Sequence, residues 1–381
     1  MTDLLARLDE ILPAVREREA SEPEAFPART IADLYAIGLP RAPFSVGLGG
    51  ADGSLRDSVE AIETLASVSP AAALLISMPL SLAGFVVAGA VAAPAPHRAA
   101  CAAQAEQVAA DYRAGQIYAA CNSERGAGGS LAATQTIAHR KGDGFRLTGE
   151  KILASFGRHA SHFFSTAKVS PDDLPGAGTV EAFFVRTTAP GVEILDDWDG
   201  FGMRPTESQT VRYRDTPVES LIGFPNFLDV VQPIPYAFCL FAAISLGCAH
   251  GLLRALSVPA PQSPALRLRL SEALMRYEAM RAYLLETADG WRPAAGPLYA
   301  ARVIRAKTYV TQEATKLCAE LFALSGGRHY RRASPVARLL ADSFAGTALR
   351  PPLPLALDAL VESFPAVAGD ALDGREALEG R

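Results

Sequence analysis

The sequence predicts an α+β chain that runs through helices, then short strands, then helices again. Three observations predict it. Apolar residues recur at helical spacing as far as about Tyr112, beginning with Leu4, Leu8, Ile11, Leu12 and Val15. From Gln116 to about Pro225 the chain breaks into short β-rich runs separated by Gly, Pro and Asp turns. Helical character returns at about Phe227. With 381 residues there is room for more than one domain, and the changes of period place the parts at 1–113, 114–225 and 226–381.

Taken in order, residues 3–20 and 28–38 read as amphipathic helices, the second closed by Ile37-Gly38-Leu39-Pro40. A Gly-rich loop, RAPFSVGLGGADGSL, leads into a helix carrying Leu55, Val59, Ile62 and Leu65. The strand candidates are IYAAC, TQTIAHRKG, FRLTGEK, HFFSTAKV, EAFFVRT, VEILDDW and QTVRYRDTPV. Gly-Asp-Gly between Lys141 and Phe145 is the clearest hairpin turn, because Gly supplies positive φ. Helices are expected over 227–288, interrupted by SVPAPQSPA, then over 296–325 and around 335–347. The polar tail from Gly369 is expected to fray.

Composition excludes several function classes. The chain is 49% hydrophobic and 20% charged, which suits a globular fold rather than a disordered one. A net charge of −5 with scattered Lys and Arg provides no basic footprint for nucleic acid. Five cysteines without a CxxC spacing point to reduced thiols and a cytoplasmic protein. The N-terminus reads as a charged amphipathic helix, not a signal peptide. Residues 64–96 and 230–249 carry no charge and are long enough to cross a bilayer, which takes about 20 residues. Pro70, Pro79 and Pro94, and the abundance of Ala, Ser and Gly, favour buried helices instead, so no membrane is expected.

Four motifs carry the chemistry. The first is Ser123-Glu124-Arg125-Gly126-Ala127-Gly128-Gly129-Ser130, preceded by Asn122, and the second is Gly149-Glu150-Lys151-Ile152-Leu153-Ala154-Ser155-Phe156-Gly157. Glycines in such loops let backbone amides approach a ring or phosphate closely. The third is Trp198-Asp199-Gly200-Phe201-Gly202-Met203-Arg204-Pro205-Thr206-Glu207-Ser208. The fourth is Ser325-Gly326-Gly327-Arg328-His329-Tyr330, followed by Ser334-Pro335 and Arg338 to Asp342. Together they resemble the acyl-CoA dehydrogenase superfamily over nearly the whole chain.

That resemblance implies an N-terminal helical domain, a central β-barrel and a C-terminal four-helix bundle, with FAD as cofactor. It places Asn122 and Ser123 at the pyrimidine side of the flavin, with Ser123 near the reactive N5. Gly128, Gly129 and Ser130 complete the loop, and Ser155 supplies a second hydroxyl. Leu153 stands where relatives have an indole, so stacking becomes an aliphatic contact. Gly326 and Gly327 imply contact with the flavin of a neighbouring subunit, hence a homodimer or homotetramer. The Arg-x-Thr-x-Ser form of Arg204 to Ser208 is closer to the superfamily's monooxygenase branch.

Several positions depart from the family pattern. Counting eight residues from Asp342, where many relatives have a catalytic Glu, gives Arg350. A guanidinium stays protonated and abstracts no α-proton. The family's other base site aligns near Ala237, and Leu349 stands where the monooxygenase branch often has His. SVPAPQSPA replaces the usual adenosine clamp, and Ala323 replaces a common Gln. The catalytic group is therefore unassigned, and Glu207 or Asp229 would restore a base if the fold brought either to the flavin. His139, His159 and His162 read as solvated residues of exposed hairpins. Leu74, Leu75, Phe85 and Phe241 read as core.

Three functions stay open. One is a dehydrogenase acting on an acyl thioester, with an electron-transfer flavoprotein as partner. The second is a two-component monooxygenase that borrows reduced FAD or FMN from a flavin reductase and oxygenates a small molecule. The third is a non-catalytic relative.

Overall fold

The computed structural model describes residues 2–372. Five helices come first: α1 (Thr2–Ser21), α2 (Ala28–Ala36), α3 (Leu55–Ala66), α4 (Pro70–Ala92) and α5 (Arg98–Arg113). Their starts follow local chemistry. Ser54 and Asp57 form a reciprocal capping box at α3, while Ser69 caps α4 with Pro70 in its first turn. The strands are β1 (Tyr118–Ala120), β2 (Ile137–Lys141), β3 (Gly144–Ala154), β4 (His162–Val169), β5 (Glu181–Arg186), β6 (Val192–Ile194), β7 (Gln209–Pro217) and β8 (Ser220–Leu221). The last part holds α6 (Phe227–Val231), α7 (Ile234–Ser257), α8 (Pro264–Asp289), α9 (Pro297–Leu324), α10 (Pro335–Ser343), α11 (Ala345–Ala348) and α12 (Leu353–Leu372).

The strands form one curled sheet in the order β6-β7-β3-β2-β4-β5-β8, with β1 added in parallel to β4. The β2–β3 hairpin turns through Gly142-Asp143, and Gly142 has φ +63°. Along one edge of β4, residues 162–164 pair with β1 and residues 168–169 with β2. Ser165 to Ala167 have no strand beside them on that edge. Their backbone groups need other partners, and the gap is where the candidate site is built.

Helix α4 lies within the first uncharged stretch, and α7 takes in most of the second before reaching Arg254 in its last turn. Their most apolar windows are 78% and 83% buried, so both are interior helices of the protein. α7 lies against α3, α4, α8, α9 and α10, while α12 lies against α9. Small residues permit this. A Cβ on Gly247 would lie 2.5 Å from Ala66 Cβ and from the Glu63 carbonyl oxygen. At the same seam the buried Glu63 carboxylate accepts from the Tyr277 hydroxyl and from Arg281 Nε at 2.9 Å, joining α3 to α8. Leu74, Leu75, Phe85 and Phe241 belong to the core.

Two elements were not foreseen. β8 has only two residues, too few for a period. α12 follows Pro351 and Pro352 and carries Pro354 in its first turn, where Pro is tolerated. Its end reaches Leu372, so the part of the expected frayed tail from Gly369 to Leu372 is helical, and the rest lies outside the described residues.

Gly247→Ala tests the α3–α7 seam. Alanine gains about 1 kcal/mol of helix propensity, but overpacking costs about 1–3 kcal/mol. A lower urea midpoint at unchanged m-value is expected.

Candidate functional site

The first two motifs meet at the gap beside β4. The Ile152 N–H donates to the Ser123 carbonyl at 2.8 Å, making an isolated bridge between them. At Thr166, two side chains stand in for the missing strand. Asn122 Oδ1 accepts from the Thr166 N–H at 2.9 Å, and Lys151 Nζ donates to the Thr166 carbonyl at 2.6 Å. Lys151 is fully buried, and its Nζ also donates to Glu124 Oε1 at 2.6 Å. Glu124 further accepts from the backbone N–H groups of Gln135 and Thr136, at 2.5 and 3.1 Å. Burial pushes the Glu124 pKa up, but these bonds outweigh it and hold the carboxyl below its usual value. The chain thus ties both motifs and two strands to one buried ion pair.

Above the pair lies a glycine cradle. Gly126, Gly128 and Gly129 have φ of +77°, +56° and +84°. A Cβ on Gly128 would meet nothing within 4 Å, so this side is open. On Gly129 it would lie 2.4 Å from Pro352 Cδ, because the chain after α11 presses onto the loop. Lys307 of α9 holds that segment by donating from Nζ to the Leu349 and Pro351 carbonyls, at 2.8 and 2.7 Å. Between these two residues, Arg350 donates from Nη2 to the Asn122 carbonyl at 2.7 Å. The position counted from Asp342 does fall beside the first motif.

The second motif ends in a buried hydroxyl chain. Ser155 Oγ lies 3.0 Å from Ser208 Oγ, which lies 2.7 Å from Thr206 Oγ1, and Thr206 donates to the Met203 carbonyl at 2.8 Å. The Met203 N–H donates to Asp342 Oδ1 at 2.6 Å, so α10 braces the third motif. Trp198 Nε1 is spent on the Met203 and Arg204 carbonyls, and Arg204 lies 3.5 Å from Glu24. Leu153 is 49% exposed, with φ +59°. An exposed apolar side chain in left-handed backbone, next to the Ile152–Ser123 bridge, and an open Gly128 in the same loop as Ser123 fit the face of a flavin ring. Ser130 closes the loop by donating its N–H to the Ala127 carbonyl at 2.9 Å. Gly326 and Gly327 lie apart from this cluster in sequence, and a Cβ on either would meet nothing within 4 Å.

Of the two candidate carboxylates, Glu207 packs beside Gly157 at the end of the second motif. Glu207 lies 3.2 Å from His159 Nε2, and Asp229 lies beside Gly178. Glu124 borders the loop but is committed to Lys151. Ala237 is buried at the start of α7. One reading is corrected: His162 is not solvated. It is buried on β4, stacked on Tyr118 at 4.3 Å, with Nε2 3.1 Å from Glu219, and burial depresses its pKa. Its strand has β1 on one side and β5 on the other, a placement that short-range sequence pattern does not reveal. His139 and His159 are partly exposed, the latter stacked on Phe26 at 3.6 Å. Sequence reasoning also gave no role to Lys307 or to Glu124 and Lys151 as a pair; two charged residues inside Gly-rich motifs were the available signal.

Comparison with known proteins gives two family matches. Residues 119–216 match the acyl-CoA dehydrogenase middle domain and residues 240–348 the acyl-CoA dehydrogenase C-terminal domain, together more than half of the chain. A probable acyl-CoA dehydrogenase, YngJ of Bacillus subtilis, is 25% identical over 58% of this chain and 61% of its own length. The FMN-bound dibenzothiophene monooxygenase TdsC of Paenibacillus sp. A11-2 superposes with a TM-score of 0.80 at 20% identity, covering 95% of this chain and 96% of that one. Butyryl-CoA dehydrogenase of Megasphaera elsdenii gives 0.79 at 21% identity, covering 95% and 97%. At these identities the two structures share the fold.

Two predictions follow from the buried charges. Lys151→Met strands the Glu124 carboxylate and lowers the unfolding free energy by roughly 3–5 kcal/mol, while Glu124→Leu with Lys151→Met costs less than the single change, as urea denaturation will measure. Burial pushes Asp342 up to about 7. The folded chain then keeps a proton that the unfolded chain releases near pH 4, so this contribution is complete below that pH and is lost as pH rises through about 7. In denaturations between pH 5 and 7, wild type therefore loses stability relative to Asp342→Asn by about 1 kcal/mol per pH unit.

Proposed function

Because this chain belongs to the acyl-CoA dehydrogenase superfamily, we propose that it is a flavin-dependent oxidoreductase of the oxygenating kind. It takes reduced FMN or FAD from a separate flavin reductase and transfers oxygen to a small molecule. The observation that carries this reading is Arg350. Burial lowers its pKa to about 10, with Glu124 opposing, so it remains protonated at neutral pH. It cannot serve as the base that dehydrogenation of an acyl thioester requires. The nearby carboxylates are engaged by cations or an imidazole: Glu124 by Lys151, Glu150 by Arg212 and Arg125, and Glu207 by His159.

Each part of the site then has a task. Asn122, Ser123, Gly128, Gly129 and Ser130 form the cradle that holds the ring and orients it by backbone contact. Leu153 covers one face and keeps water from it. The Ser155–Ser208–Thr206 hydroxyls provide a hydrogen-bond chain along which a proton is held near the ring. When bound, reduced flavin supplies the electrons that activate O2. The Pro-rich loop between α7 and α8 suits FMN or a loosely held FAD, as a diffusible flavin needs. Gly326 and Gly327, with open space around them, suit the approach of a second copy's flavin, hence at least a homodimer. Five buried free cysteines suit a cytoplasmic enzyme.

The test starts with titration of the protein with FMN and FAD, where binding in the micromolar range is expected. Anaerobic addition of butyryl-CoA to the loaded protein should leave the flavin absorbance unchanged. With reduced FMN supplied in air, indole or dibenzothiophene as probe should gain oxygen by mass. Anaerobic bleaching by the thioester, or no flavin binding, would defeat the proposal.

A further inference from the structure

We infer that Arg350 is a fixed cation behind the flavin cradle that makes the site prefer reduced, anionic flavin over oxidised flavin. This inference rests on the flavin-binding reading above. Glu124 is committed to Lys151 at 2.6 Å and to two backbone N–H groups, so that pair is neutral within itself. Arg350 has no such partner. Its Nη2 donates to a carbonyl, that of Asn122, while Nε and Nη1 are buried with no hydrogen-bond partner among the described residues. Lys151, Glu124 and Arg350 together therefore leave one uncompensated positive charge under the first motif.

A buried, unpaired guanidinium costs free energy that the fold must supply elsewhere. The structure invests further in holding it there. Lys307 grips the carbonyls on both sides of it, and Pro352 wedges against Gly129. Lys307 itself does not provide the fixed charge, since burial depresses it to about 7, leaving it only partly charged at neutral pH. Arg350 is protonated throughout that range.

Oxidised flavin has a neutral ring. Reduced flavin that has lost its N1 proton carries a negative charge, and only this form gains from a nearby cation in a low-dielectric site. An enzyme that receives reduced flavin and must discard the oxidised product benefits from that difference. Arg350 thus sorts the incoming cofactor from the spent one, and does so without touching the substrate. It acts as a positioning charge, not as a catalytic base.

The test compares dissociation constants for FMN and for chemically reduced FMN, the latter under anaerobic conditions. Wild type should bind reduced FMN about tenfold more tightly, equivalent to about 30 mV in the midpoint potential of the two-electron couple. Arg350→Gln keeps a donor for the Asn122 carbonyl but removes the charge, and should lose most of that preference. Arg350→Lys should retain it. Equal weakening of both redox forms by Arg350→Gln would mean a purely structural role and overturn the inference. If Arg350→Gln does not fold, wild type still decides: equal affinity for the two forms overturns it. Failure of wild type to bind either form would instead overturn the flavin reading itself.

Discussion

The buried Lys151–Glu124 ion pair is the contact on which the rest of the site depends. It occupies the place where β4 lacks a neighbouring strand, and Lys151 with Asn122 satisfies both backbone groups of Thr166. Such a pair need not add net stability, because desolvation offsets much of the attraction. What it provides is registration. Glu124 belongs to the loop after β1, Lys151 to β3 and Thr166 to β4, so the one cluster sets the spacing of three segments.

The helices complete the site from the other side. α9 contributes Lys307, the chain after α11 contributes Arg350 and Pro352, and α10 contributes Asp342 to brace the Met203 loop. The Arg350, Pro352 and Asp342 contacts cross from the helical part to the β part, while Lys307 grips the segment that carries Arg350 and Pro352. The side chains of Lys307, Arg350 and Asp342 are each met by main-chain groups. That arrangement favours a rigid, electropositive backing for the cradle, with the chemistry left to a bound cofactor.

The absence of a carboxylate at the Arg350 position changes what this familiar fold can do. The superfamily's framework supports more than one reaction, and framework alone does not choose among them. A cation in place of a base removes proton abstraction at that point and adds stabilisation for negative charge. The same residue thus argues against dehydrogenation through a base at that point.

Much of this was legible in the sequence, for physical reasons. The order of helices, strands and helices follows from side-chain period, and the Gly142-Asp143 hairpin from the need for positive φ. The glycine loop and the second motif identify the cofactor class because few residues permit that backbone approach. Counting from Asp342 even located Arg350. Tertiary structure alone decided the rest. Glu124 and Lys151 are 27 residues apart, and Arg350 and Asn122 are 228 apart, so no local pattern announces either contact. His162 looked solvated until β1 and β5 flanked its strand, and α12 follows two prolines and carries a third in its first turn. Sequence by itself determined which backbone shapes and which charges this protein contains. Only the fold decided which charges lose their water together, and that sets what the site can bind.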